Sequence, residues 1–325
     1  MWKYVMVGFD SDYFKYSFAN MRKRDNFLFL DNSMGNGVLS KIQDVCVSEL
    51  VNKYINIPLK HIWMNDYSKW LKYCEYDICF VFSKTQSWLL YYSNGIYIDY
   101  LRKKYPTCKI VLYLGDLISS YYKFDVNFFI NKCDYVISYD SEDARKYHLL
   151  YAPLPYSEVD ISNDDGIPEF DVFFCGKAKD RLDKIYELYD YLISSGMTVR
   201  FFVTGVDNKC QCRTDIVFNK KMNYSRYLQY MKKSKAIVEI RQRESVGDTL
   251  RVKEALTYGK LLITDNIEIN TREYYNPNQI YIYTRKTGIN LEKFKDNKKL
   301  NFETVIFDEL YMMLHEICYK ENITT

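Results

Sequence analysis

The segment from Ala236 to Asn266, AIVEIRQRESVGDTLRVKEALTYGKLLITDN, admits few folds. An apolar run (Ala236–Ile240) enters a charged loop holding one glycine (Arg241–Asp248). A helix opens near Thr249 and stops at Gly259, and a second apolar run (Leu261–Thr264) follows at once. Strand, helix and strand in so short a span form a βαβ crossover, which joins parallel strands. In open α/β sheets ligands bind beyond the carboxyl ends of the strands, where this loop and helix start must lie. The polar residues of the helix fit that place. Gly247, Arg251, Glu254 and Tyr258 recur at helical spacing and share one face, while Leu250, Val252, Ala255 and Leu256 supply the packing side. Arg and Glu displayed together behind a glycine loop suit a phosphorylated, hydroxyl-bearing ligand.

The same alternation runs through the chain. Strands are expected at Tyr4–Phe9, Phe27–Leu30, Asp77–Phe82, Lys109–Leu114 and Asp134–Ser138, with helices at Tyr13–Met21, Val38–Tyr54, Gly95–Lys104 and Ser141–Tyr147 between or after them. Turn residues and breakers then gather between Pro155 and Glu169, which reads as a linker. Beyond it the pattern restarts with strand Phe170–Cys175, helix Asp180–Ser195, strand Thr198–Thr204 and helix Tyr224–Lys233. A last strand at Ile280–Tyr283 and an amphipathic helix over Phe302–Tyr319 close the chain. The expected fold is α/β: two Rossmann-like domains whose parallel sheets face a central cleft. The domains are residues 1–155 for an acceptor, a linker at 156–169, and 170–300 for a donor. Residues 301–325 form a helix packing back onto the first domain. At 325 residues two cores are the natural division.

Bulk properties exclude several classes. A net charge of +3 argues against a dedicated nucleic-acid binder. Nine scattered cysteines, several inside apolar runs and none in a Cys-x-x-Cys pair, read as reduced small hydrophobes, which fits a cytoplasmic location. No apolar run is long enough to span a bilayer, which leaves peripheral membrane association open.

Three regions carry candidate chemistry. In Gly176-Lys177-Ala178-Lys179-Asp180-Arg181, cations crowd a helix start, the wrong sign for the macrodipole unless an anion binds there. The alternative is that these side chains point into water. Glu254 is placed to accept ribose hydroxyls, or else to pair with Arg251 on the helix surface. Arg251 and Arg243 are candidates for a diphosphate clamp. After the first strand, Gly8-Phe9-Asp10-Ser11-Asp12 reads as a capped turn, or as the paired carboxylates of a haloacid-dehalogenase-like phosphatase. The three histidines, His61, His148 and His315, have no metal-ligand spacing.

The second half resembles glycosyltransferases of the two-Rossmann-domain (GT-B) type, most of all bacterial enzymes of lipopolysaccharide and capsular polysaccharide assembly. The resemblance rests on Asp171–Gly176, Tyr227–Ser234, the Gly-Asp-Thr-Leu-Arg-Val-Lys-Glu-Ala-Leu block, Gly259–Asn266 and Asp134–Tyr156. It implies transfer of a sugar from a nucleotide-sugar donor to a glycan or lipid-linked acceptor, without a cofactor or an obligatory metal. It further implies donor contacts from Gly176, Lys177, Lys179, Arg243, Gly247, Asp248, Thr249, Arg251 and Glu254, with Arg251, Lys177 and Glu244 nearest the chemistry. Glu244 precedes Glu254 by ten positions where retaining members keep eight, so the stereochemical outcome stays open. An inverting enzyme would take a base from the first domain, and Asp10, Asp116 and His61 are the candidates. A non-catalytic nucleotide or sugar-phosphate binding module of the same fold is the alternative from another class.

Overall fold

Two parallel sheets organise the computed structural model, one in each of the units into which the chain divides: Met1–Pro155 with Asp308–Thr325, and Tyr156–Phe307. The structure describes residues 1–30, 38–55, 57–63, 65, 67–71, 76–120, 124–159, 168–242, 248–284, 288, 289, 294, 302 and 305–319.

The first sheet comprises β1 (Trp2–Val7), β2 (Phe27–Leu30), β3 (Asp77–Ser83), β4 (Lys109–Leu114), β5 (Tyr135–Ser138) and β6 (Leu150–Tyr151), in the order β2-β1-β3-β4-β5-β6. Its helices are α1 (Asp12–Ser17), α2 (Ala19–Arg22), α3 (Val38–Val47), α4 (Glu49–Tyr54), α5 (Ser68–Leu71), α6 (Ser87–Tyr92), α7 (Ile96–Lys104), α8 (Val126–Lys132) and α9 (Ser141–Tyr147). Side chains alternate across a strand, so a sheet covered on both faces needs apolar residues at every position. That is why these strands read as unbroken apolar runs. Val5, Val7, Phe80, Phe82, Ile110 and Leu112 enter one core, while Tyr4, Met6, Cys79, Val81, Val111 and Tyr113 enter the other.

The second sheet comprises β7 (Phe170–Lys177), β8 (Val199–Thr204), β9 (Val217–Phe218), β10 (Ser234–Glu239), β11 (Leu261–Thr264) and β12 (Ile280–Ile282), ordered β12-β11-β10-β7-β8-β9. Helices α10 (Leu182–Ser194), α11 (Tyr224–Lys232) and α12 (Leu250–Thr257) connect its strands. Helix α12 stops because Gly259 takes φ +60°. That turn lets the Lys260 N–H reach back to the Ala255 carbonyl at 2.8 Å, the closing bond of a Schellman cap.

The last helix, α13 (Glu309–Tyr319), belongs to the first unit, where Leu310, Leu314 and Ile317 share a core with Tyr4, Met6 and Val111. Its start differs from the expected Phe302. Phe307 stays extended and exchanges backbone hydrogen bonds with Tyr156 at 3.1 and 3.4 Å, so the helical spacing of Phe307 with Leu310 is coincidental. The expected helix Tyr13–Met21 is interrupted at Phe18, and Val38–Tyr54 at Ser48, whose ψ of 129° is extended. A 3-10 turn at Lys60–Trp63 is entered through Leu59 at φ +56°. Among the described residues no helix is long and apolar enough to cross a membrane.

Candidate functional site

The second sheet changes direction between β7 and β10. From β7 the chain passes to β8 and β9 on one side, then returns to lay β10 along the other, in register Ala236↔Val172 and Ile237↔Phe173. Such a reversal opens a crevice beyond the carboxyl ends of the two central strands. Two arginines meet there.

Arg181 follows β7 and precedes α10. It makes no side-chain cap for that helix. Instead its guanidinium crosses to the residue just after β10, where Nη1 donates to the Ile240 carbonyl, while Nε and Nη2 reach the Lys177 carbonyl at 3.3 and 3.2 Å. Arg251 crosses the other way. From the first turn of α12 its Nη2 donates to the Cys175 carbonyl at the end of β7, and its Nε is buried with no hydrogen-bond partner. Gly176 makes the meeting sterically feasible. A Cβ there would lie 2.9 Å from Arg251 Nη2 and 3.5 Å from Arg181 Nη2. Among the described residues no ion pair joins either guanidinium to a carboxylate.

Electrostatics follow from that crowding. Burial, then the neighbouring Arg251 charge, brings Arg181 down to about 10. Burial also works against the charge on Arg251, but Tyr227, Glu254, Cys175 and Glu239 outweigh it and raise the group. Two cations held close by carbonyls, with no described carboxylate ion-paired to either, suit an anion with more than one negative charge.

Carboxylates of this region are buried and already bonded. Glu239 accepts from Thr249 Oγ1 at 2.5 Å and Thr264 Oγ1 at 2.6 Å; burial raises its pKa against those two hydrogen bonds. Thr249 also caps α12, accepting from the Arg251 N–H at 3.3 Å. Glu254 is 1% exposed, with Oε1 accepting from the Tyr224 hydroxyl at 2.5 Å and Oε2 from the Tyr227 hydroxyl. Burial pushes its carboxyl up to about 7, opposed by the two tyrosines and by Arg251.

These positions amend the sequence reading. Of the polar residues of α12, Lys253, Glu254 and Thr257 are as buried as Val252, Ala255 and Leu256, while Arg251 and, at its C-terminal cap, Tyr258 are half-buried. Glu254 therefore makes no surface pair with Arg251, and a ribose would have to displace a tyrosine hydroxyl to reach it. Lys177 is exposed at the end of β7. Lys179, in the left-handed region at φ +46°, sends Nζ to Gln242 Oε1 at 2.8 Å. Asp248 pairs with Arg272 Nε at 3.4 Å. Arg243, Glu244 and Gly247 lie outside the described residues, as does the side chain of His61, whose backbone sits in the 3-10 turn. Asp10 and Asp116 belong to the other unit, both exposed beyond strand ends, β1 and β4, with Asp116 Oδ1 accepting from Leu117 N at 3.0 Å.

The sequence counts Arg181 among the cations of the helix start without assigning it a contact, and it does not single out Glu239, Tyr224 or Tyr227. An arginine at a helix start with no capping role, and two tyrosines one turn apart, were the available signals. Among the described residues no group of three His, Cys, Asp or Glu side chains is placed to hold a metal ion.

No protein-family model matches the chain, and no curated protein does. Among solved structures, the S. aureus MnaA–UDP complex is similar at 10% identity and a TM-score of 0.47, over 98% of this chain and 96% of that one. An α-glucosyltransferase in complex with UDP and a mismatched 13-mer DNA shows 10% identity and 0.47, over 81% and 79%. T4 phage BGT with its UDP-glucose substrate shows 14% and 0.41, over 86% and 85%. No residue role is carried from them to this chain.

Proposed function

We propose that the second unit binds the diphosphate of a nucleotide-sugar and that the protein is a glycosyltransferase. The observation that carries this reading is the pair of guanidiniums, Arg181 and Arg251, converging over Gly176 at the sheet's switch point, with no carboxylate among the described residues paired to either. Glycosyl transfer asks little covalent work of the protein. As the sugar–oxygen bond breaks, charge builds on the departing diphosphate, and fixed cations that need no reorganisation lower that barrier. The two arginines are fixed by strand carbonyls, and the start of α12 adds its dipole. Exposed Lys177 stands beside them as a further cation. An acceptor hydroxyl activated by a base completes the reaction; Asp10, Asp116 and His61 of the first unit are the proposed candidates.

We further assign the acceptor to the glycans or lipid-linked glycans of surface polysaccharide assembly, lipopolysaccharide or capsule, at the cytoplasmic face of the membrane. Support for that finer assignment is the sequence resemblance of the second half. The test is a thermal-shift and calorimetric screen of nucleoside diphosphates and their sugars, followed by donor turnover with candidate acceptors. A ligand at a hundred times its Kd stabilises the fold by about 2.7 kcal/mol, a readable shift. No binding by any diphosphate, or binding that survives Arg251→Ala and Arg181→Ala unchanged, overturns the proposal. Binding without turnover on any acceptor would instead mark a sensor built on this fold.

A further inference from the structure

We infer that Tyr224 and Tyr227 are positioning residues that stop the anion site from neutralising itself. The inference rests on the reading of that site as a diphosphate cradle. Glu254 follows Arg251 by three residues on α12, a spacing at which carboxylate and guanidinium on one helix pair. Here they do not. Both oxygens of Glu254 are occupied instead, Oε1 by the Tyr224 hydroxyl and Oε2 by that of Tyr227. The two rings stack with centroids 5.3 Å apart and planes 12° apart, so α11 presents them as a unit.

A third hydroxyl completes the arrangement. Tyr156 OH lies 2.8 Å from Tyr224 OH. An ionised carboxylate only accepts, so the Tyr224 proton points to Glu254 and the Tyr156 proton to Tyr224. The donor chain therefore runs one way, toward the acid. Among the described residues, the charged and titratable groups that act on Glu254 are Arg251 on its own helix, Tyr224 and Tyr227 on α11, Tyr156, Tyr258 and Cys175. Of these Arg251 is the cation. Stripped of its tyrosine donors, a buried carboxylate turns to that cation, because an unsatisfied buried charge is costly. The turn would occupy guanidinium N–H groups and cancel the charge that an incoming phosphate needs. The tyrosines hold that pairing off. This role bears on any phosphate ligand, with or without a ribose, which separates it from a direct grip of Glu254 on the sugar.

The probe is inorganic pyrophosphate, titrated calorimetrically into the full chain at pH 8. Tyr224→Phe/Tyr227→Phe should weaken binding by about tenfold, the order set by diverting one charged hydrogen-bond partner. Adding Glu254→Gln to that variant should return affinity to within about threefold of the parent, because a neutral amide does not cancel the guanidinium charge. Rescue is the readout that a merely structural role does not produce. If the double variant fails to fold, Tyr227→Phe with and without Glu254→Gln makes the same comparison. Unchanged affinity in folded tyrosine variants, or loss that Glu254→Gln does not restore, overturns the inference while leaving the cradle in place. A parent that ignores pyrophosphate takes both readings down.

Discussion

Replacing Gly176 by alanine separates binding from stability at a single methyl group. The glycine lies in β7 with an ordinary extended backbone, so alanine meets no conformational penalty there, and narrowing the unfolded ensemble contributes roughly 0.4–1 kcal/mol in its favour. Crowding is the opposing term. The new Cβ falls 2.9 Å from Arg251 Nη2, 3.3 Å from Phe174 Cζ and 3.5 Å from Arg181 Nη2. To regain an ordinary contact the Arg251 guanidinium must retreat by about half an ångström, away from the Cys175 carbonyl that aims it. The far end of a flexible side chain yields easily, so net stability should change by less than about 1 kcal/mol. Binding should change more. A charge-assisted hydrogen bond is worth about 1.5–3 kcal/mol, and misdirecting it costs roughly ten- to a hundredfold in affinity. The assay pairs pyrophosphate calorimetry with urea denaturation of the same preparation. Affinity equal to the parent's, or a loss accompanied by a comparable fall in unfolding free energy, would show that Gly176 does not set the approach of the two guanidiniums.

Other perturbations test the surroundings. The Glu254 carboxyl, raised to about 7 in the folded protein, contributes stability that is fully present below about pH 4.5 and fades as pH rises through 7, by about 3 kcal/mol in all. Glu254→Gln should flatten that part of the pH dependence, and urea midpoints at pH 5 and pH 8 would reveal a slope that persists regardless. Thr249→Ala removes both the cap of α12 and a donor to buried Glu239, so unfolding free energy should fall by about 2 kcal/mol; a loss under half a kcal/mol would mean the cap is idle. Leu314→Ala opens a cavity in the first unit, and denaturant unfolding should show about 2–5 kcal/mol lost with pyrophosphate affinity intact. Coupled loss of affinity would refute the independence of the two cores.

Legibility followed the physics of each segment. Phe27–Leu30, Lys109–Leu114, Ser141–Tyr147 and Leu261–Thr264 fall where apolar runs and turn residues place them, because local patterning and tertiary burial agree there. Gly176 and Arg251 stood out because glycine at a strand end and arginine at a helix start are chemically loud. Arg181 was harder. Its importance comes from crossing to Ile240, 59 positions away, and a one-dimensional pattern does not contain that distance. Tyr224 and Tyr227 look like ordinary packing residues of an amphipathic helix until the acid from α12 is set against them. The burial of Glu254 was likewise hidden, since nothing local distinguishes an acid on an exposed helix face from one enclosed by tyrosines of another element.

The first unit is sewn from two ends of the chain, and that orders its birth on the ribosome. Everything from Tyr156 to Phe307 is synthesised before Leu310, Leu314 and Ile317 are added, so one flank of the first sheet is still wet while the second unit is being made. During that interval the greasy surface around Tyr4, Met6 and Val111 waits for a plug still to be made. A chain cut off after Phe307 would carry a complete second unit tethered to an adhesive, half-dressed first one.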